Sequence, residues 1–117
     1  ASATSAVLVQ LIKRAVDRPR PGDMLVTSDA GSFPSGHSAN AALIAVIVAT
    51  LLARRWVIAV GALYAAVMML SRTYLGAHWA TDTIAGAAIG CAVAALAWAV
   101  LGRRVLAERR KPAPDSP

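Results

Sequence analysis

The chain has 117 residues, room for one domain. Hydrophobic residues make up 57% of it with a single Phe, and the mean hydropathy is +0.57. Long runs of Ala, Val, Leu and Ile of this kind exclude an ordinary water-soluble core and point to membrane helices. The one cysteine, Cys91, excludes an internal disulfide framework and a Cys-rich zinc site. Lying inside an apolar run, it reads as a small buried side chain. A net charge of +6 would suit nucleic acid. The basic residues, however, sit at the ends of apolar runs without interleaved aromatics, so no nucleic-acid partner is expected. The chain starts without Met and without a leader pattern, so a longer gene product is expected.

Ala1 to Ile12 is helix-compatible but shorter than the roughly 20 residues that cross a bilayer. It reads as the second half of a membrane helix closed by Lys13 and Arg14. From Asp17 to Phe33, the breakers Pro19, Pro21, Gly22 and Gly31 make a loop outside the membrane core. Within it, Met24-Leu25-Val26 is an apolar patch, either packed on its own scaffold or touching a lipid tail. Asp17 is expected to pair with Arg14 or Arg18, and those two arginines to meet headgroups or solvent.

Pro34 to Ala53 has a helix-start signature and spanning length, ending at Arg54, Arg55 and the interface anchor Trp56. Trp56 to Leu75 is a second span, with Tyr74 and then Trp79 as interfacial aromatics. Ile84 to Leu101 is a third, with Gly86 and Gly90 at the small-xxx-small spacing of a close packing face. The fold class expected is all-α, an integral membrane helical bundle of three full transmembrane helices plus one partial N-terminal helix. Residues 1–102 form the membrane-embedded domain. Residues 103–117 form a basic, Pro-containing cytoplasmic tail, a helix end passing into disorder. Arg54, Arg55 and that tail share one side, which the positive-inside rule makes cytoplasmic. The polar stretches then share the opposite face of a multi-pass cell-membrane protein.

Those polar stretches carry the chemistry. In the third of them His78 and Asp82 are four apart, so a helix beginning near His78 puts both on one face. A carboxylate there would hold one ring proton and leave the other nitrogen as base or nucleophile. Arg72, six residues earlier, is a permanently charged anion clamp.

Three patterns recur in order: Lys13 with Arg20-Pro21, Pro34-Ser35-Gly36-His37, and Ser71-Arg72 with His78 and Asp82. Over roughly Ser5 to Leu101 the set resembles the type 2 phosphatidic acid phosphatase family, in the superfamily that includes bacterial acid phosphatases and vanadium-dependent haloperoxidases. The resemblance implies that His78 is a nucleophile forming a phosphohistidine, Asp82 its orienting partner, and His37 the general acid. It makes Lys13, Arg20 and Arg72 the phosphate clamp, with Ser35 and the Gly36 N–H as further donors at a helix N-terminus. No metal and no cofactor are expected, since three cations suffice for the phosphoryl oxygens.

The expected function is hydrolysis of a lipid phosphate or diphosphate at the non-cytoplasmic face. Phosphatidate, phosphatidylglycerophosphate and polyprenyl diphosphates all suit a head-in-pocket, tail-in-lipid substrate. Two alternatives stand beside it: a vanadate-dependent haloperoxidase-like enzyme, and a non-catalytic remnant binding phosphate or a partner chain. The remnant reading arises because the family's usual six helices would place two and a half ahead of Lys13. A homo-oligomer is one way in which a minimal chain would complete its pocket.

Overall fold

The computed structural model describes residues 1–22, Leu25 and 31–109, with side chains through Arg103. The described residues form helices only: α1 (Ser2–Val16), α2 (Gly36–Leu52), α3 (Arg55–Tyr74) and α4 (Ala80–Arg109). Local chemistry sets the ends of each. Asp17 closes α1 in the left-handed conformation (φ 41°), its N–H returning to Lys13 O. The ion pair expected between Asp17 and Arg14 or Arg18 is not formed among the described residues, since Arg18 turns to Asp82 instead. Ser35 caps α2 with its Oγ, accepting from Ser38 N–H.

Between α2 and α3 lie only Ala53 and Arg54, with Ala53 at φ 48°, so the two helices run antiparallel. After α3, Gly76 takes φ 64°. Gly76 N–H bonds Thr73 O and Ala77 N–H bonds Arg72 O, the paired bonds of a Schellman stop that favours glycine. Because the chain reverses there, α4 starts next to where α3 ends.

α2 is the central helix and packs on the other three; α4 packs on α1 and α3 as well. Its closest approach to α4 is at the two glycines. A Cβ on Gly86 would lie 2.2 Å from Ser35 O, and one on Gly90 2.0 Å from Ala39 O. The packing face expected of these glycines is therefore present, and it brings backbone against backbone. Beside it Leu43, Val93 and Ala94 form the apolar core, flanked by Val46, Ile47 and Ile89. Cys91 departs from expectation. It is exposed, because the face of α4 that meets α2 runs through Gly86, Gly90, Val93 and Ala94, leaving Cys91 to one side.

Outside this narrow core the helices present apolar side chains to their surroundings. On α3, Ile58, Val60, Leu63, Val67 and Leu70 are all more than half exposed, and Val57 is the helix's buried residue. A surface of that kind suits lipid and not water. Among the described residues two helices are long and apolar enough to cross a membrane, Arg55–Tyr74 and Ala80–Arg103. The third expected span is shorter than the sequence suggested. Pro34 and Ser35 lie ahead of the helix, leaving α2 with 17 residues, about 25 Å at the usual helical rise. α4 also runs through the expected domain boundary at 102 as far as Arg109. The expectation of a disordered tail over 110–117 falls outside the described residues, as do Met24 and Val26 of the apolar patch. Leu25 itself is 70% exposed, and its N–H is bonded to Leu75 O.

Candidate active site

Antiparallel packing puts the C-terminal end of α1, the N-terminal end of α2, the C-terminal end of α3 and the N-terminal end of α4 at one end of the bundle. All three sequence patterns therefore converge. Ser35 N–H bonds Asp82 O, joining the second pattern to the third. Arg20 donates to Ala77 O and, at 3.4 Å, to Gly31 O. Lys13, 8% exposed despite its charge, donates to the same Gly31 carbonyl. The Lys13 ammonium carries three N–H donors, of which this bond engages one. Arg72 contributes a buried Nε that has no hydrogen-bond partner among the described residues, a costly state for a donor that no anion or acceptor meets. His37 is exposed at the start of α2, within electrostatic reach of Arg72, Lys13 and Arg20. Ser35 is fully buried, and Ser38 Oγ donates to its Oγ at 3.1 Å.

His78 lies in the turn between α3 and α4 and is 4% exposed. Its Nδ1 is 2.7 Å from Ser32 O. A main-chain carbonyl only accepts, so Nδ1 carries the hydrogen and Nε2 keeps its lone pair. Burial pushes the His78 pKa down to about 4, with Arg20 and Lys13 adding to the fall and the Ser32 carbonyl and Asp82 opposing it. The ring is therefore neutral at physiological pH.

The expected partnership between His78 and Asp82 takes a different form. α4 begins at Ala80, so His78 precedes the helix and the helical four-residue spacing does not apply. Asp82 Oδ2 stands 3.9 Å from Nδ1, beyond hydrogen-bond range. That oxygen instead accepts Trp79 N–H at 2.8 Å, as an acidic third helical residue reaches back to its N-cap. Oδ1 accepts from Arg18 at 2.8 Å. Arg18, expected to meet solvent or headgroups, also donates to Thr81 Oγ1 at 2.8 Å. Its guanidinium lies 5.7 Å from the centre of the Trp79 ring, and Trp79 Nε1 donates to Pro19 O. Trp79 is thus bonded into the site as well as half-exposed, whereas Tyr74 is 85% exposed.

The residues that sequence reasoning missed act largely through the main chain. Ser32 and Gly31 supply carbonyls, a role that carries no residue-type signature. Arg18 had a detectable signal, a second arginine two positions before Arg20, but nothing in the spacing named its partner. Among the described residues no three of His, Cys, Asp and Glu cluster as a metal site would require. The donor set is cationic and suits an anion.

Lys13 and Arg20 act on the neutral buried imidazole of His78, and with Arg72 they act on His37, which gives an anion-favouring site at one end of a bundle with membrane-capable helices. The PAP2 superfamily model matches residues 1–106, and the chain belongs to that family. It is 33% identical over 97 residues to phosphatidylglycerophosphatase B of Bacillus subtilis, covering 74% of this chain and 48% of that protein. It is also 33% identical over 105 residues to decaprenylphosphoryl-5-phosphoribose phosphatase of Mycobacterium tuberculosis, covering 86% of this chain and 57% of that one. The crystal structure of a transmembrane PAP2-type phosphatidylglycerolphosphate phosphatase from Bacillus subtilis superposes with a TM-score of 0.79 at 28% identity. That match covers 97% of this chain and 58% of the other. The chain thus spans about half the length of the curated relatives it matches.

Proposed function

We propose that this chain carries the catalytic part of a membrane phosphatase that hydrolyses a lipid phosphate monoester or diphosphate through a phosphohistidine, without metal. The observation that carries the reading is the state of His78: neutral, buried, its Nδ1–H bonded to Ser32 O, with Lys13 and Arg20 close enough to act on its charge.

In the first step Nε2 attacks phosphorus, forming the P–N bond while the bond to the leaving oxygen breaks. His37 delivers the proton to that oxygen. The substrate's own negative charge counters the cations beside His37 and favours its protonated form. Lys13, Arg20 and Arg72 neutralise the phosphoryl oxygens, with Ser35 and the Gly36 N–H as further donors. One such pair at 4 Å contributes about 4 kcal/mol at an effective dielectric near 20. Water, deprotonated by the now neutral His37, then attacks the phosphohistidine. The P–N bond breaks, inorganic phosphate leaves and the lone pair returns to Nε2. Asp82 acts through the turn it caps.

The names of the relatives support a lipid phosphate: a phosphatidylglycerophosphate in one and a decaprenylphosphoryl phosphoribose in the other. The reading keeps α2 as a third span, residues 103–117 as a cytoplasmic tail, and the site at the non-cytoplasmic face of a multi-pass protein. Arg54 and Arg55 at the opposite end of the bundle support that sidedness. The test is release of inorganic phosphate from a panel of lipid phosphates and diphosphates in detergent, with and without EDTA. Release insensitive to chelator and blocked by vanadate is expected, since vanadate mimics the five-coordinate transition state. Release that needs magnesium refutes the metal-free step. Halide oxidation with peroxide and vanadate, in place of phosphate release, overturns the phosphatase reading itself.

A further inference from the structure

Arg18 touches both sides of the histidine without touching the histidine itself. Its side chain donates to Asp82 Oδ1 at 2.8 Å and to Thr81 Oγ1 at 2.8 Å. Its main-chain carbonyl accepts Ser32 N–H at 2.9 Å. Ser32 in turn offers its own carbonyl to His78 Nδ1 at 2.7 Å and ties its Oγ to Pro19 O at 3.0 Å. One residue of the α1–α2 loop therefore fixes the acceptor that His78 uses and holds back the acceptor that it does not.

Asp82 is fully buried while the Arg18 side chain is 37% exposed. A buried carboxylate needs a cation or hydrogen-bond donors to remain charged, and Arg18 is its cation. With Oδ1 on Arg18 and Oδ2 on Trp79 N–H, neither oxygen bonds to the imidazole, and Oδ2 stays 3.9 Å from Nδ1. The guanidinium is itself placed near the Trp79 ring, 5.7 Å from its centre, a range in which cation and ring attract. The charged groups acting on His78 are Lys13 from α1, Arg20 from the loop and Asp82 from α4. Of these, Asp82 alone favours the imidazolium.

We infer that Arg18 is a positioning residue for the nucleophile: it holds Asp82 off the His78 ring and anchors the Ser32 carbonyl, so that His78 presents Nε2 as a neutral imidazole. The inference builds on the phosphohistidine reading but makes a separate claim about the ring. Without the Arg18 charge, the buried Asp82 carboxylate turns to the nearest remaining donor, Nδ1–H of His78. The imidazolium gains a partner, and the ring rotates away from Ser32.

The test uses the full chain in detergent micelles with para-nitrophenyl phosphate as kinetic probe and imidazole ¹⁵N NMR as a readout independent of turnover. The wild-type His78 signal is expected as the Nδ1–H tautomer, neutral through the ordinary imidazole range. In Arg18→Gln its titration should move up by about one pH unit or more. kcat should fall about tenfold to a hundredfold, as for a misplaced reacting group, with KM within about twofold. Arg18→Lys, which keeps the charge, should return the titration most of the way and kcat in part.

A rise in KM with an unmoved His78 titration would instead make Arg18 a phosphate or headgroup binder and overturn the inference. Equal loss of activity in both variants with the titration unchanged would reduce Arg18 to a fold contact and overturn it too. Should Arg18→Gln fail to fold, the wild-type spectrum still decides, because an Nε2–H tautomer contradicts the arrangement outright. Absence of phosphatase activity in the wild type, together with a shifted titration in Arg18→Gln, would sink the phosphohistidine reading and leave the positioning claim standing.

Discussion

Replacing Gly86 by Ala tests how tightly the site depends on helix approach. The new Cβ would lie 2.2 Å from Ser35 O and 3.1 Å from Ser35 C, both main-chain atoms that no rotamer change can move. Relief requires α4 to retreat from α2 by about an ångström, a case of overpacking for which about 3 kcal/mol is a fair cost. Alanine's better helix propensity offsets about 1 kcal/mol of it. A net loss of about 2 kcal/mol lowers the folded-to-unfolded ratio about thirtyfold.

Gly90→Ala makes the same kind of clash one turn further on, 2.0 Å from Ala39 O, and serves as the comparison. Both should lose similar stability in denaturant titrations followed by circular dichroism. Only the Gly86 change pushes directly on Ser35, the N-cap that seats His37 and bonds Asp82 O. Its kcat at saturating substrate, measured where the protein is still folded, should fall at least tenfold more than that of Gly90→Ala, given the sensitivity of catalysis to misplacement of about 1 Å. Wild-type stability and kcat in Gly86→Ala would refute the claim that backbone contact between α2 and α4 sets the site.

The neutral imidazole has a pH signature. Because the pKa of His78 is lowered to about 4, its contribution to activity should persist as pH falls through 6.5 and disappear near pH 4; an acid limb of kcat at 6.5 assigned to His78 would contradict this. The same shift makes the unfolded chain bind the extra proton first, so stability should decline as pH falls from about 6.5 to 4, by about 3 kcal/mol at most. His37→Ala should slow alkyl phosphates far more than activated aryl phosphates, since only the poor leaving group needs the proton; equal losses would remove its role as acid. Gly76→Ala places a Cβ at φ 64° and should cost about 1–2 kcal/mol, read as a lowered denaturation midpoint; no change would mean that the α3–α4 turn is less constrained than its hydrogen bonds imply.

Much of this molecule could be read before any coordinates, because charge and apolar runs obey strong rules. Breakers and paired basic residues marked where helices stop. Gly86 and Gly90 marked where two helices touch, since only hydrogen fits between backbones so close. The clamp candidates were legible because their chemistry is carried by side-chain type. What hid was whatever depends on a carbonyl or on a partner distant in sequence. Nothing in the letter Ser at position 32 says that its oxygen orients His78. Likewise, the His78–Asp82 spacing suggested a direct bond, but the helix starts two residues after His78 and draws Asp82 into capping its own N-terminus. The start of α2 was misread because Ser35 caps the helix from outside it, and Cys91 because its helix face was not legible. Hydrophobicity within an apolar run tells a residue's solvent, not which side of the helix meets a neighbour.

The most direct measurement is to expose the protein to phosphate-labelled substrate, quench within one turnover and ask where the label resides. A phosphoryl group stable to base and labile to acid, mapped to the peptide containing His78 and missing from His78→Ala along with turnover, is the predicted result. Undiminished phosphate release by His78→Ala, or label on a different residue, would contradict the account at its centre.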